Sequence, residues 1–419
     1  MDILFAKLIV WDWIEFGVRW IHVIVGIAWI GSSFYFIALD LGLRQSKNLP
    51  SGVKGEEWQV HGGGFYHVQK YLVAPNQMPD HLTWFKWESY ATWLSGAALL
   101  MVMYWAGAEL YLIDPTKADL SLMVAILISA GSLALGWIIY DFLCKSSLGY
   151  RPTMLMFLLF VLLVVMAWGY TQVFTGRAAL LHLGAFTATI MTANVFFIIM
   201  PNQRIVVNDL INDRTPDVEY GRIAKLRSTH NNYLTLPVIF LMLSNHYPLA
   251  FASEYNWLIA SLVFLIGVSI RHYFNTIHAR KGAPNWTWLV TAFLFVLIMW
   301  LSTVGLEENN NYEKKMSEKE EAFFAVEGFD EVYEIVSGRC SMCHAREPVY
   351  RGIHYAPKQV YLETNKDVVS QSSAIFLHSA VTHAMPPGNL TGMEQSERDK
   401  IKDWYRSATR TQPFFGRLY

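Results

Sequence analysis

The chain has 419 residues, 53% hydrophobic and 15% aromatic, with a formal net charge of −1. So apolar a composition argues against a purely soluble enzyme and for a membrane protein. The near-neutral balance, with no basic patch interleaved with aromatics, sets nucleic acid aside as a partner. Residues 306–419 carry 14 Lys+Arg and 17 Asp+Glu, whereas residues 1–305 carry only 19 and 17 over more than twice the length. We therefore expect a membrane domain over 1–305, a polar linker over 306–321 and a soluble domain over 322–419.

Eight apolar stretches approach or exceed the roughly 20 residues that cross a hydrocarbon core. They run Ile14–Leu41, Trp87–Tyr111, Leu120–Leu143, Thr153–Phe174, Ala178–Met200, Ser228–Tyr247, Asn256–Ile277 and Trp286–Gly305. The expected fold is all-α, an eight-helix transmembrane bundle followed by a small helical domain. The sixth stretch is the weakest, because its apolar heart is short and holds Pro237, which removes a backbone donor and favours a site packed inside the bundle. Loops 1-2, 3-4, 5-6 and 7-8 hold 14 Lys+Arg, Arg227 among them, and the opposite loops hold two, Lys117 and Arg177. Positive loops stay cytoplasmic, so both termini are expected in the periplasm if this is a bacterial inner-membrane protein.

Ionisable residues inside spans are costly and point to function. In the first span Glu15, Arg19, His22, Gly26, Trp29 and Ser33 share one helical face, and Gly26 would admit a close neighbour. His22 and His182, at similar depth on different spans, suit the two axial positions of a b-type haem; two buried histidines hydrogen-bonded across helices are the alternative. The first cytoplasmic loop, His61-Gly62-Gly63-Gly64-Phe65-Tyr66-His67, reads as a lid. It lacks the strand and Gly-Lys-Ser/Thr of a phosphate cradle, and the six-residue spacing of His61 and His67 fits no standard helical metal pair.

The inner end gathers a second group: Lys86 and Glu88 opening the second span, His230, Asn231, Asn232 and Tyr233 opening the sixth, and Arg271, His272, Asn275 and His278 on the seventh. Arg271, Asn275 and His278 share a face, which suits a planar anionic ligand: a guanidinium clamps it, an amide matches donor and acceptor edges, and an imidazole moves a proton. A snorkelling arginine and an interfacial histidine are the plainer alternative.

Cys340-Ser341-Met342-Cys343-His344 has the C-x-x-C-H spacing of covalent c-type haem attachment, with His344 as one iron ligand. Met385, in a Pro-rich segment, is the expected second ligand; Met393, His383 and His378 compete with it. Helices over Phe324–Val336 and Ser396–Tyr405 would flank the site, and the whole resembles a small class I cytochrome c domain. A zinc half-site or a redox dithiol fits less well, since no second C-x-x-C is present.

Taken together, Arg19-Trp20-Ile21-His22, His61 through His67, Phe85-Lys86-Trp87-Glu88-Ser89-Tyr90 and Thr229-His230-Asn231-Asn232-Tyr233, followed by Cys340 to His344, resemble the bacterial membrane-bound cytochrome c urate oxidase family. The resemblance implies hydroxylation of urate to 5-hydroxyisourate, with electrons passing to the fused haem c rather than to dioxygen, so that no hydrogen peroxide forms. It also implies a downstream acceptor such as a soluble cytochrome c or a terminal oxidase. It carries the haem positions Cys340, Cys343, His344 and Met385, while the span residues rest on the reading above. A membrane redox module for another small molecule, or a transporter with a cytochrome redox sensor, shares the same architecture.

Overall fold

The computed structural model describes residues 3–71, 79–304, 316, 318–351, 353, 356–357 and 360–410. Most of the expected linker, and residues 411–419 of the expected tail domain, lie outside the described residues. The chain divides into two compact units, one formed by Asp12–Asn245 with Leu249–Glu307, the other by Glu308–Tyr419 with two short segments, Met1–Trp11 and His246–Pro248.

In chain order the first part contains α1 (Ile3–Gly42), β1 (Val53–His61), β2 (Gly64–Tyr71), α2 (Trp87–Leu99), α3 (Ala108–Tyr111), α4 (Leu122–Lys145), α5 (Pro152–Val173), α6 (Gly176–Ala193), α7 (Met200–Ile211), α8 (Val218–Ser244), the single turn α9 (Pro248–Phe251), α10 (Asn256–His278) and α11 (Trp286–Thr303). Six helical stretches among the described residues are long and apolar enough to cross a membrane: Ile9–Gly42, Leu122–Lys145, Pro152–Val173, Gly176–Ile211, Asn256–His278 and Trp286–Thr303. Their outer faces carry exposed Ile138, Phe142, Phe157, Leu289 and Phe293, a surface suited to lipid and not to water. The second and sixth expected spans are helical but differ from the other six. The second passes from α2 into a π turn, Leu100–Trp105, and the sixth is the C-terminal part of α8, whose N-terminal turns are charged.

Three departures from the sequence reading have local causes. The helix expected to end at Met200 runs on to Ile211 through a π turn over Asn194–Ile199. Helix α8 starts at Val218, where the Asp217 side chain caps it by accepting from the Glu219 N–H. The expected lid is a β-hairpin, so the fold is not purely helical: β1 and β2 pair antiparallel around Gly62-Gly63, both at positive φ. There Trp58 stacks on His67 at 4.2 Å and His67 Nε2 meets Glu56 Oε2 at 2.7 Å, which holds the Glu56 carboxyl below the usual range. His61 sits at the turn and pairs with Gly64, so the two histidines have separate surroundings.

The interior is built on close helix contacts. Gly267 of α10 lies against Pro237 of α8, and Gly136 of α4 against Phe186 of α6. Pro237 is thus buried where the sequence places it, facing a residue with no side chain.

The second unit contains α12 (Glu318–Phe324), α13 (Phe329–His344), α14 (Asn365–Ser370), α15 (Ser372–Ile375) and α16 (Gln395–Arg410). Gly328, at φ 91°, separates α12 from α13, so the helix expected from Phe324 starts at Phe329. Phe329, Val332 and Val336 pack with Ile401, Trp404 and Tyr405 in one core.

Candidate functional site

Helix α8 carries the polar residues of the membrane unit on two sides, and the group expected as one site resolves into two clusters. On the side facing α10, Asn232 Oδ1 accepts from Asn275 Nδ2 at 2.9 Å and from Arg271 Nε at 3.4 Å, and Arg271 Nη2 donates to Asn275 Oδ1 at 3.1 Å. The Arg271 guanidinium lies over the Phe34 ring of α1 at 4.1 Å. Arg271 is 5% exposed, and no carboxylate among the described residues pairs with it. Asn232 Nδ2 is buried without a partner. A buried cation with only neutral partners is costly, and an anionic ligand would offset that cost.

On the side facing α4 and α6, Arg227 is fully buried and donates through Nη2 to Asp141 Oδ1 at 2.7 Å and through Nη1 to Asn194 Oδ1 at 3.2 Å. Asn194 Nδ2 donates to the Tyr140 hydroxyl at 3.1 Å and to Asn231 Oδ1 at 2.9 Å, while Asn231 Nδ2 donates to the Met191 carbonyl. The Tyr140 hydroxyl meets His230 Nδ1 at 2.8 Å. Asn194 opens the π turn that extends α6, a distortion frequent at functional sites. Nothing in the sequence singles out Asp141, Tyr140 and Asn194, and Arg227 reads there as a loop charge.

The other expected residues stand apart. His272 is exposed and faces Trp286 at 6.2 Å between ring centroids, not Arg271. His278 keeps the expected face of α10, with a buried and unpartnered Nδ1, and its nearest aromatic neighbour is Phe274 at 6.5 Å. Glu88 stands in the first turn of α2, where its carbonyl accepts from Thr92.

His22 and His182 do not form a pair of free ligands. His182 is wholly buried: its Nδ1 donates to the Ala178 carbonyl and its Nε2 accepts from Ser129, which in turn receives the Trp105 indole N–H. Phe174 packs on the ring at 4.7 Å. His22 Nδ1 bonds the Thr92 carbonyl and Ser95 Oγ of α2, and its ring rests on Gly96. The close approach expected at Gly26 is made at Gly96 instead, for nothing lies within 4 Å of a Cβ at Gly26. With both nitrogens of His182 committed, these residues do not fit an iron between them; they hold α1 to α2 and α4 to α6. Beside His22, Arg19 pairs with Glu15 and reaches Met103 Sδ.

In the second unit the C-x-x-C-H motif closes α13. His344 Nδ1 donates to the Val360 carbonyl at 2.9 Å, which fixes the tautomer and leaves Nε2 as a free lone pair. Cys340 and Cys343 are free thiols. Burial pushes Cys340 up to about 12, and Cys343 is raised by the same cause. Met385 is 38% exposed, whereas Met393 is sunk in the core at 3%. The Met385 segment is pinned by Arg398, itself buried, which donates to the carbonyls of Ser379 and Met385 and to Asn389 Oδ1. Two thiols, an imidazole with a free Nε2 and an accessible thioether fit a covalently held haem.

Apolar outer faces around a buried polar spine define a polytopic membrane protein with a polar interior. The family model for the urate oxidase N-terminal region matches residues 8–302, and the chain belongs to that family. Membership ties the membrane unit to urate-related oxidoreductase chemistry; the match ends before the C-x-x-C-H segment. Neither the curated proteins nor the solved structures contain a match.

Proposed function

We propose that the membrane unit oxidises urate to 5-hydroxyisourate and that the C-terminal unit is a class I cytochrome c domain receiving the electrons. The observation that carries this reading is Arg271, a buried guanidinium with amide partners and no carboxylate, in a chain of the urate oxidase N-terminal family. Near neutral pH urate is a planar monoanion whose edges alternate N–H and C=O. Arg271 offers it charge and a planar fork, and Asn232 Nδ2 is a buried donor in need of an acceptor. Asn275 holds both residues in place.

The urate monoanion and water give neutral 5-hydroxyisourate, one proton and two electrons. The water adds at C5 and leaves its oxygen there as a hydroxyl. A haem c bound at Cys340, Cys343, His344 and Met385 supplies one-electron acceptance, and thioether ligation keeps its potential high. Phe34 covers one face of the Arg271 guanidinium and shields it from water, which strengthens its hold on an anion.

The architecture we propose has eight crossings: the six long apolar stretches, Trp87–Tyr111, and the C-terminal part of α8. The excess of inner-loop cations supports both termini in the periplasm of a bacterial inner membrane, the compartment where haem is attached to C-x-x-C-H motifs.

Detergent-purified protein supplied with a one-electron acceptor should consume one urate per two acceptor equivalents. It should draw no oxygen and form no peroxide. Stoichiometric oxygen uptake with peroxide would overturn the proposed electron route.

A further inference from the structure

The cluster between α4, α6 and α8 assigns its own protons. Both hydrogens of the Asn194 amide are used, on Tyr140 and Asn231, and its oxygen receives Arg227. The Tyr140 hydroxyl, already accepting from Asn194, has its own proton to give. Its neighbours are His230 Nδ1 at 2.8 Å and the thiol of Cys144, a weak acceptor one turn along α4. The imidazole nitrogen takes that proton, so Nδ1 accepts and the hydrogen of the neutral ring sits on Nε2. That Nε2 is buried with no partner, in a residue 1% exposed. One turn earlier, on the same side of α8, Arg227 Nε is buried and unpartnered too. Two orphaned N–H donors are a rare and costly feature.

We infer that Arg227 and His230 form a second binding site, which donates N–H bonds to a carbonyl oxygen of a planar ring. Asp141 gives Arg227 a counter-charge while its other oxygen meets Lys145, so what the two N–H groups lack is a hydrogen-bond acceptor such as a carbonyl oxygen, on a neutral or an anionic ring alike. The surroundings suit a flat molecule. The guanidinium lies over Tyr140 at 4.9 Å and Trp137 at 5.7 Å, and Trp137 stacks on Phe197, which is exposed on the apolar outer surface. Asn232, two residues beyond His230, faces the opposite side of α8, so one urate molecule does not span this site and Arg271 together. The carbonyl therefore belongs to a urate bound here or to a quinone dissolved in the bilayer. The site goes beyond the proposed reaction, in which His230 has no assigned part.

The test has two arms on the full detergent-purified chain. In the first, nitrogen NMR of histidine-labelled protein, with the His230 signals identified by comparison with His230→Gln, should show the proton on Nε2 and a bare Nδ1. The reverse tautomer overturns the inference. If His230 variants do not fold, Tyr140→Phe gives the identification, because it should shift Nδ1 alone. In the second arm, binding of urate to ascorbate-reduced protein and of decylubiquinone to oxidised protein is titrated for the native chain, His230→Gln and His230→Leu. A glutamine retains an N–H donor, so it should bind within about threefold of native, while leucine should lose about tenfold or more. Equal affinities in all three chains, or no binding of either ligand to the native chain, would overturn the site. Glutamine as poor as leucine would mean that a lone pair, not a proton, is needed, and would overturn it as well. Quinone binding without urate binding would support this site and count against the urate reading.

Discussion

Replacing Gly267 with alanine tests whether the Arg271 cluster depends on the contact between α8 and α10. The new Cβ would stand 2.4 Å from Pro237 Cδ and 2.6 Å from its Cγ. Carbon atoms pack at about 3.5–4.0 Å, so the helices must part by about 1 Å, since a proline ring cannot rotate away. That movement takes the 2.9 Å bond from Asn275 to Asn232 to about 4 Å and breaks the longer one from Arg271. Overpacking costs about 1–3 kcal/mol and each lost bond about 1 kcal/mol, against a helix-propensity gain of at most about 1 kcal/mol. A net loss of about 2–4 kcal/mol is expected, with weakened urate binding. The assay is thermal unfolding in detergent beside urate titration, with Gly131→Ala as control, because nothing lies within 4 Å of a Cβ there. An unchanged midpoint would refute the packing argument, and a lowered midpoint with native affinity would remove the cluster from the urate site.

Asp141→Asn leaves Arg227 buried without a counter-charge and should cost about 3 kcal/mol, read as a lower unfolding midpoint; a native midpoint would show that Arg227 is not desolvated as described. Arg271→Lys keeps the charge and loses the planar fork, so urate affinity should fall roughly tenfold or more, and native affinity would exclude Arg271 from the site. Met385→Ala should keep the haem covalently attached but lower its reduction potential, whereas an unchanged potential would assign the ligand elsewhere. In protein matured without haem, alkylation near neutral pH should reach Cys343 before Cys340, whose thiol burial holds at about 12; the opposite order, followed by mass spectrometry, would contradict that burial.

What the sequence conveys depends on how local the signal is. Apolar length marks six helices directly, and the Cys340 to His344 spacing is a local code that needs no partner. Arg227 reads as a loop charge because its partner Asp141 is 86 residues away and hydropathy averages conceal a single carboxylate at a helix end. His22 and His182 are legible as interior residues, but their partners, Thr92, Ser95 and Ser129, are small hydroxyl and backbone groups that no spacing rule selects. The hairpin has a signal of its own: Gly62-Gly63 is a two-residue turn between segments rich in β-forming residues. Grouping Arg271 with His230 assumes that two helices meet face to face, whereas residues 230 and 232 point to opposite sides of α8. The pair Asn232 and Asn275 shows which side meets α10.

The central claim is that urate bound in the membrane unit reduces a haem held by the C-terminal unit. Anaerobic mixing of oxidised, haem-loaded protein with urate, followed by visible absorption, tests it most directly. The spectrum of ferrous c-type haem should appear with urate and not with buffer, and should be abolished in Arg271→Met while ascorbate still reduces that variant. Haem that stays oxidised with urate yet is reduced by ascorbate would contradict the claim.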